Sequence, residues 1–540
     1  MRMLTLAFSP RFIVYTLSLL ATAALAAAVL AGPLARDIAT IPFVIAFGLA
    51  ALGTYDRFQA RHALRRNYPI SAHLRFLFEA IRPEMRQYFF ESDKDGMPFS
   101  RDKREIVYQR AKRVPDKRPF GTQSDVYGDG FEWVRHSMMP RPLATTPFRI
   151  KVGGDACGKP YDASILNISG MSFGALSPNA IRALNRGAKE GGFAHDTGEG
   201  GFSAHHREYG GDIVWQVASG YFGCRNGDGT FSPERFAETA TLDQVRMIEL
   251  KISQGAKPGH GGVLPGAKVS SEIAQVRGVT AGEDCVSPSS HSRFSTPVGM
   301  MEFIGEMRRL SGGKPTGFKL CVGHPWEFLA VCKAMLATGV YPDFIVVDGT
   351  EGGTGAAPFE FLDHIGMPLR EGLNFVHNAL VGIGARSRVR LGASGKIISG
   401  FDIARAMALG ADWCNAARGF MFSLGCIQSQ NCHTDRCPVG IATQDPARGH
   451  ALVVEHKWER VRNFHAGTLH ALAEITAAAG LDHPGEFATA HFCRRVSPRE
   501  VVTFDAVYPS LKPGELLAGS DDPRFARAWK MASADSFRPA

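Results

Sequence analysis

Two uncharged apolar runs open the chain. The first covers residues 12–31 and the second residues 38–55. At about 1.5 Å rise per residue, either run can cross a hydrocarbon layer of roughly 30 Å as a helix. Gly32-Pro33 breaks the first run, and Arg36-Asp37 precede the second. The pattern predicts a two-helix transmembrane hairpin over residues 1–56, with residues 32–37 as its connection. Arg2 and Arg11 lie before it; Arg57, Arg61, Arg65 and Arg66 lie after it. This basic flanking puts both ends in the cytoplasm and the chain in the inner (cytoplasmic) membrane. A cleaved signal peptide ending in the alanine-rich stretch 21–31 is the alternative.

From residue 164 onward the pattern changes to short apolar runs alternating with amphipathic stretches. The runs 164–169, 193–197, 213–218, 246–252, 316–322, 343–348, 388–393 and 412–417 read as strands. Residues 178–190, 297–310, 325–337 and 400–409 read as helices between them. Eight strands with helical crossovers predict a (β/α)8, or TIM, barrel. Residues 284–287 could be a ninth strand and are assigned to an excursion after the fourth. Most strands end in Gly, Ser, Asp or Lys, which a barrel gathers on its catalytic face. A dinucleotide-binding fold would need a glycine fingerprint after the first strand, and Ser169-Gly170-Met171-Ser172-Phe173-Gly174 is a poor match. Residues 57–150 read as a charged linker packing on a barrel domain of residues 151–505, with 506–540 as a tail.

The formal charge is 61 − 52 = +9, and much of the excess lies between Arg57 and Arg118. Because this stretch follows the hairpin, anionic lipid is its expected contact. No nucleic-acid recognition motif accompanies the charge, so nucleic acid is not an expected partner. The 10 cysteines are no secreted disulfide framework in 540 residues.

Three motifs carry chemistry. Cys426-x5-Cys432-x4-Cys437-Pro438 is spaced too widely for an ordinary structural zinc site, whereas a cysteine followed by proline recurs in iron–sulfur loops. A three-iron cluster, three unmodified thiols, and zinc completed by His433 all remain open at this point. The second motif is glycine-rich backbone after late strands. It comprises Asp348-Gly349-Thr350-Glu351-Gly352-Gly353-Thr354-Gly355 and Ser394-Gly395-Lys396. Such turns free N–H groups to bind phosphate, though they can be merely structural. The third is Lys251, which ends an apolar run and is followed by a Gly/Pro-rich loop, residues 254–262. At a barrel mouth it could hold negative charge on a cofactor or a carboxylate; otherwise it is a snorkelling surface lysine. His205 and His206, adjacent on a presumed strand, would point to opposite faces and are read as structural.

Taken together, these strings resemble the synthase domain of glutamate synthase, in the single-domain branch of FMN-binding glutamate synthase family proteins. The likeness runs roughly from Arg75 to Asp505. It is carried by residues 198–201, 216–220, 254–266, 347–358 and 425–444. The resemblance implies one FMN and one [3Fe-4S] cluster on Cys426, Cys432 and Cys437. It implies FMN contacts at Met171, Ser172, Gln216, Lys251, Gly352, Gly353 and Gly395, beside Ser394, and reaction-site roles for Glu199, Lys257 and Arg277. The expected activity is redox chemistry at the CH–NH2 or C=N group of a small amino or oxo acid. The electron partner would be a ferredoxin or a reductase subunit. An FMN dehydrogenase of another acid and a membrane electron-transfer subunit are the alternatives; an open pocket beside Lys257 and Arg277 favours an enzyme over a relay. His260 and Val263 depart from the family loop, which has Glu and Gln there, and valine offers no hydrogen bond to an oxo acid. With no cysteine before Cys157, a cysteine-led glutaminase is not expected ahead of the barrel.

Overall fold

The computed structural model describes residues 6–540, and Arg2 of the predicted basic flank lies outside them. The chain divides into two compact units, Met1–Arg101 and Asp102–Ala540. In the first, α1 (Ile13–Leu30) and α2 (Pro33–Phe58) pack together, with Tyr15 Oη 2.9 Å from Thr54 Oγ1. Both are long and apolar enough to cross a membrane, and Leu17, Leu20, Ile41 and Ile45 face outward uncovered. The six-residue connection predicted from the sequence is shorter in the structure. Only Ala31 and Gly32 separate the helices, and Arg36 and Asp37 belong to α2. Pro33 sits in the first turn of α2, where its fixed φ suits a helix and its missing N–H costs nothing. Two further helices follow, α3 (Ala63–Asn67) and α4 (Ala72–Met85), the latter running into a π-turn, Arg86–Phe90.

The second unit is built on eight parallel strands: β1 (Leu166–Ile168), β2 (His195–Asp196), β3 (Ile213–Val217), β4 (Val245–Lys251), β5 (Thr316–Leu320), β6 (Phe344–Asp348), β7 (Arg390–Ser394) and β8 (Trp413–Ala416). Each pairs with its neighbours in sequence, and β8 pairs with β1, which closes the barrel. All eight fall within the predicted runs, give or take a residue. Cys285–Val286, the possible ninth strand, pairs with Val263–Leu264 outside the barrel. The intervening helices Pro178–Gly191, Pro233–Ala240 and Pro297–Leu310 begin with a Ser or Thr cap followed by proline. Ser177, Ser232 and Thr296 each accept a backbone N–H of the first turn, which fixes where these helices start.

The two ends of the barrel differ. At the N-terminal end, the antiparallel pair Arg149–Val152 and Tyr161–Ser164 brings Val152, Tyr161 and Ala163 into one apolar cluster with Val214, Met247, Phe344 and Trp413. That end is stoppered. At the C-terminal end the strands stop at polar residues around an open cavity. Strand Glu132–Val134 pairs with Phe492–Ser497, so chain from either side of the barrel joins one small sheet.

Candidate functional site

The cavity at the C-terminal end encloses about 1290 Å³, counting its open mouth. Its floor is a layer of charged and amide side chains. Gln216 lies directly across from Glu249 in the β3–β4 register, so both point inward. Its amide Nε2 donates to Glu249 Oε1 at 2.6 Å and is 3.3 Å from Asp196 Oδ2. With the amide nitrogen committed to two carboxyls, the Gln216 carbonyl oxygen is left for the cavity. The Glu249 and Asp196 carboxyls also hydrogen-bond each other, which requires a proton between them. Burial, and then the Asp196 charge, push Glu249 up to about 8. Lys319 is fully buried beside this pair, 3.6 Å from Asp348 Oδ2. Burial works against its charge, but Asp348, Glu249 and Asp196 outweigh it and raise its pKa. Asp348 also accepts the Gly255 N–H at 2.8 Å. Gly255 must be glycine: a Cβ there would lie 2.0 Å from the Gly349 carbonyl, where the two glycine-rich loops touch.

The rim is built differently. Lys251, at the end of β4, donates to Glu199 Oε2 at 3.1 Å and to Gln254 Oε1 at 2.5 Å. Burial acts to raise the Glu199 pKa. Lys251, and behind it Lys257 and Arg277, overcome that and hold the carboxyl below its ordinary value. Lys257 is buried and has no ion-pair partner among the described residues; burial lowers its pKa against the pull of Glu199. Arg277 is also buried, at the end of helix Ser271–Arg277. It donates to the Phe173 carbonyl at 2.9 Å, lies over the Phe222 ring, and leaves Nε with no hydrogen-bond partner. Two buried cations lining one cavity, balanced only by a Glu199 that Lys251 already holds, form an anion site.

A third cation stands across the cavity. Arg418 follows β8 directly. Its Nε occupies the space a Cβ on Gly353 would enter, at 2.9 Å, and it donates to the Thr354 carbonyl. It has no carboxylate partner among the described residues. Gly353, Thr354, Ser394, Ala417 and Arg418 share this wall. The missing Cβ of Gly353, the uncommitted charge of Arg418 and the free Gln216 carbonyl together fit a flat cofactor carrying a phosphate.

Behind that wall is the cysteine loop. Cys426, Cys432 and Cys437 are free thiols, and Cys432 lines the cavity. Burial raises Cys426 to about 11, with the other two thiols adding to the rise, so the three lie within electrostatic reach of one another. The Gln428 N–H points at Cys426 Sγ (3.5 Å), Arg418 at Cys432 Sγ (3.8 Å), and Lys268 Nζ at the Cys432 carbonyl (3.0 Å). Gln428, Gln430 and Asp435 take left-handed φ of 59°, 58° and 64°. Non-glycine residues seldom adopt this conformation, and its concentration here wraps the loop around its thiols. Among the described residues no three His, Cys, Asp or Glu side chains converge as one metal ion would require, and His433 lines the cavity instead. Three thiols on one loop, with the Gln428 N–H and the Arg418 guanidinium aimed at sulfur, are a donor set that suits a thiolate-held iron–sulfur cluster.

Of the residues singled out in the sequence, Met171, Ser172, Gln216, Lys251, Gly353, Ser394, Glu199, Lys257, Arg277 and Cys432 line this one cavity. Gly352 and Gly395 lie in the turns behind its wall: a Cβ on Gly352 would meet Asp348, and one on Gly395 would meet Leu369. Cys426 and Cys437 sit deeper in the loop. Val263 lines the cavity and is partly exposed, while His260 turns to the Phe361 ring. His205 and His206 are on a short helix, Ala204–Arg207, not a strand; His205 pairs with Glu272 and His206 with Ser203. Their hydrogen-bonding role stands, but the geometry behind it was a helical turn. Sequence reasoning missed Arg418 and the floor network of Asp196, Glu249, Lys319 and Asp348. Lone charges inside fully buried strands were the available signal, since each needs a partner on a neighbouring strand.

A parallel barrel whose catalytic-face cavity joins an anion site to a cysteine loop defines a class of barrel enzyme with two adjoining centres. Residues 161–482 match the family model described as the conserved region in glutamate synthase. The chain belongs to the glutamate synthase family. It is 37% identical over 509 residues to the glutamate synthase large subunit-like protein YerD of Bacillus subtilis (strain 168), covering 87% of this chain and 96% of that one. It is 34% identical over 353 residues to the archaeal glutamate synthase [NADPH] of Methanocaldococcus jannaschii, 65% of each chain. Among solved structures, a mandelate oxidase aligns over 74% of this chain and 89% of its own at 17% identity, with a TM-score of 0.40.

Proposed function

We propose that the chain is an FMN- and iron–sulfur-dependent oxidoreductase of glutamate synthase type. It acts on the CH–NH2 or C=N group of a small amino or imino acid, and α1 and α2 anchor it in the cytoplasmic membrane with the barrel on the cytoplasmic side. The observation that carries this reading is the single open cavity in which Lys257 and Arg277 face the same space as Gln216, Gly353, Arg418 and Cys432. An open cavity with free cations favours an enzyme over an electron relay. Bound FMN would supply hydride transfer and a cluster on Cys426, Cys432 and Cys437 single-electron transfer.

The chain's own residues account for the rest. Lys257 and Arg277 grip a substrate carboxylate, whose charge completes their unpaired sites. Glu199, kept ionised by Lys251, takes a proton from the substrate nitrogen during amine oxidation and returns it in the reverse direction. Gln216, with its nitrogen bound downward, presents an acceptor to the cofactor. Arg418 and the Gly353 and Ser394 turns hold the phosphate. Arg418 touches both the cofactor wall and Cys432, a contact that supports reading the two centres as neighbours. A cluster held by Cys426, Cys432 and Cys437 would take or give single electrons with a ferredoxin or reductase subunit, and ammonia or an amine would arrive from outside the barrel.

The test is purification from membranes under anaerobic conditions. Heat-released flavin should be FMN, with about three iron and four sulfide per chain. Serine at Cys426, Cys432 or Cys437 should remove the low-temperature paramagnetic signal. A panel of amino, imino and oxo acids should reveal one that reduces or reoxidises the flavin. Stoichiometric zinc, or flavin inert to the whole panel, would overturn the reading; recovery in the soluble fraction would overturn the anchor.

A further inference from the structure

Helix α4 is bare along one side. Leu74, Leu77, Phe78, Ile81, Met85 and Tyr88 recur at helical positions i, i+3, i+4, i+7, i+11 and i+14, and all are exposed. At roughly 100° per residue they form one stripe about a third of the circumference wide. Phe89 and Phe90, 73% and 75% exposed, extend it through the π-turn. Arg75, Arg82 and Arg86 line one edge of the stripe; Arg75 pairs with Glu79 at 3.3 Å and Arg86 with Glu91 at 2.9 Å, and Arg82 has no ion-pair partner among the described residues. The opposite face is used: Phe76 meets the His62 ring at 6.1 Å and the Arg65 guanidinium at 4.9 Å. The start of α4 is also tied to the end of α2. Asp56, fully buried, accepts His73 Nε2 at 2.8 Å and the Ile70 N–H at 3.1 Å.

We infer that α4 is a third membrane element: an interfacial helix lying in the headgroup layer of an anionic leaflet, on the side where α2 ends. This rests on reading α1 and α2 as spans. Its apolar stripe enters the acyl boundary, and Arg75, Arg82 and Arg86 reach lipid phosphates from the edge. Two features choose lipid as the occupant. The Asp56 clasp holds the start of α4 at the end of α2, where a span read from α2 would leave the acyl layer. Arg82, unpaired beside the stripe, matches the negative charge of the cytoplasmic leaflet.

The test uses the full-length chain in membranes washed with alkaline carbonate, and in nanodiscs with and without phosphatidylglycerol. Photoreactive p-benzoyl-phenylalanine replaces Phe78 or Phe89, with Phe76 as the covered-face control. Phospholipid adducts are expected at Phe78 and Phe89 and not at Phe76. Arg82→Gln should lower the anionic-over-zwitterionic adduct ratio by roughly fivefold, the ~1 kcal/mol of one arginine near such a surface, and Arg86→Gln, whose charge Glu91 already meets, by less. Adducts with protein, from a second copy or another chain, would overturn the inference. So would an absence of adducts from a chain that stays in the washed membrane, which leaves the hairpin standing. Release by carbonate with lipid adducts still forming on added vesicles would overturn the hairpin alone; release without them would overturn both.

Discussion

Lys319 on the cavity floor and Lys257 on its rim are both buried lysines, kept charged by opposite means. Lys319 is surrounded by Asp348, Glu249 and Asp196, which together raise its pKa despite burial. Lys257 has only the distant pull of Glu199, and burial wins. The floor satisfies itself; the rim is satisfied by what binds. Charge that is expensive in the empty protein is where ligand affinity is stored, and charge already balanced sets the shape of the site.

The largest break of this contrast is on the phosphate side of the rim. Gly395→Asp adds a carboxylate where the wall has no room, since a Cβ already meets Leu369 at 3.2 Å and Glu351 at 3.4 Å. It should leave no FMN bound after desalting, while iron content and the helical circular dichroism signal persist. Retained flavin would move the phosphate away from this turn.

Next in size is the exchange of the two lysines. Lys319→Met leaves three carboxyl groups without their cation and should cost about 3–5 kcal/mol of stability, as removing one partner of a buried pair does. Lys257→Met removes a cation with no ion-pair partner; it should leave the ligand-free melting temperature unchanged or higher, while KM for the acid substrate rises. Equal destabilisation by both would erase the distinction between floor and rim.

The rim was more legible in the sequence than the floor for a physical reason. Lys257, Gly353, Ser394 and the cysteines lie in contiguous glycine-, proline- or cysteine-marked strings, and such strings announce loops. Glu249 in Val245–Lys251 and Lys319 in Thr316–Leu320 are single charges inside apolar strands, and their partners lie on other strands. Pairing across a barrel is fixed by register, which no local pattern encodes. The strands themselves were legible because parallel barrel strands are buried on both faces and read as continuous apolar runs. The α1–α2 connection was misjudged because Arg36 and Asp37 look like loop residues, although a proline start lets the helix run through them.

A smaller effect sharpens the rim's specificity. Val263 lines the cavity but is partly exposed, so water can replace some of a lost hydrogen bond. Val263→Gln should raise activity with ammonia and 2-oxoglutarate by roughly fivefold, the low end of the ~1–3 kcal/mol for one such bond. If Val263→Gln changes nothing, the oxo acid does not lie against this position.

The last prediction concerns the shared proton of the floor. Glu249 is raised to about 8 by burial and by Asp196, whereas an unfolded glutamate titrates near ~4.3. Below the unfolded value both states are protonated, and the Glu249–Asp196 hydrogen bond contributes in full. As pH rises, the unfolded chain ionises first and binds fewer protons than the folded one. Stability from this group is therefore lost progressively between about pH 4.3 and pH 8, at up to ~1.4 kcal/mol per pH unit. Glu249→Gln keeps a donor for Asp196 and a carbonyl for the Gln216 amide but has nothing to ionise. Its melting temperature in detergent should match the parent near pH 4 and exceed it progressively up to pH 7.5, with other groups cancelling in the difference. The Gln216 carbonyl should stay turned to the cavity, so FMN affinity at neutral pH should change little. Parallel pH profiles for the two proteins would mean that Glu249 is ionised in the native state, and that the floor is balanced by Lys319 without a shared proton.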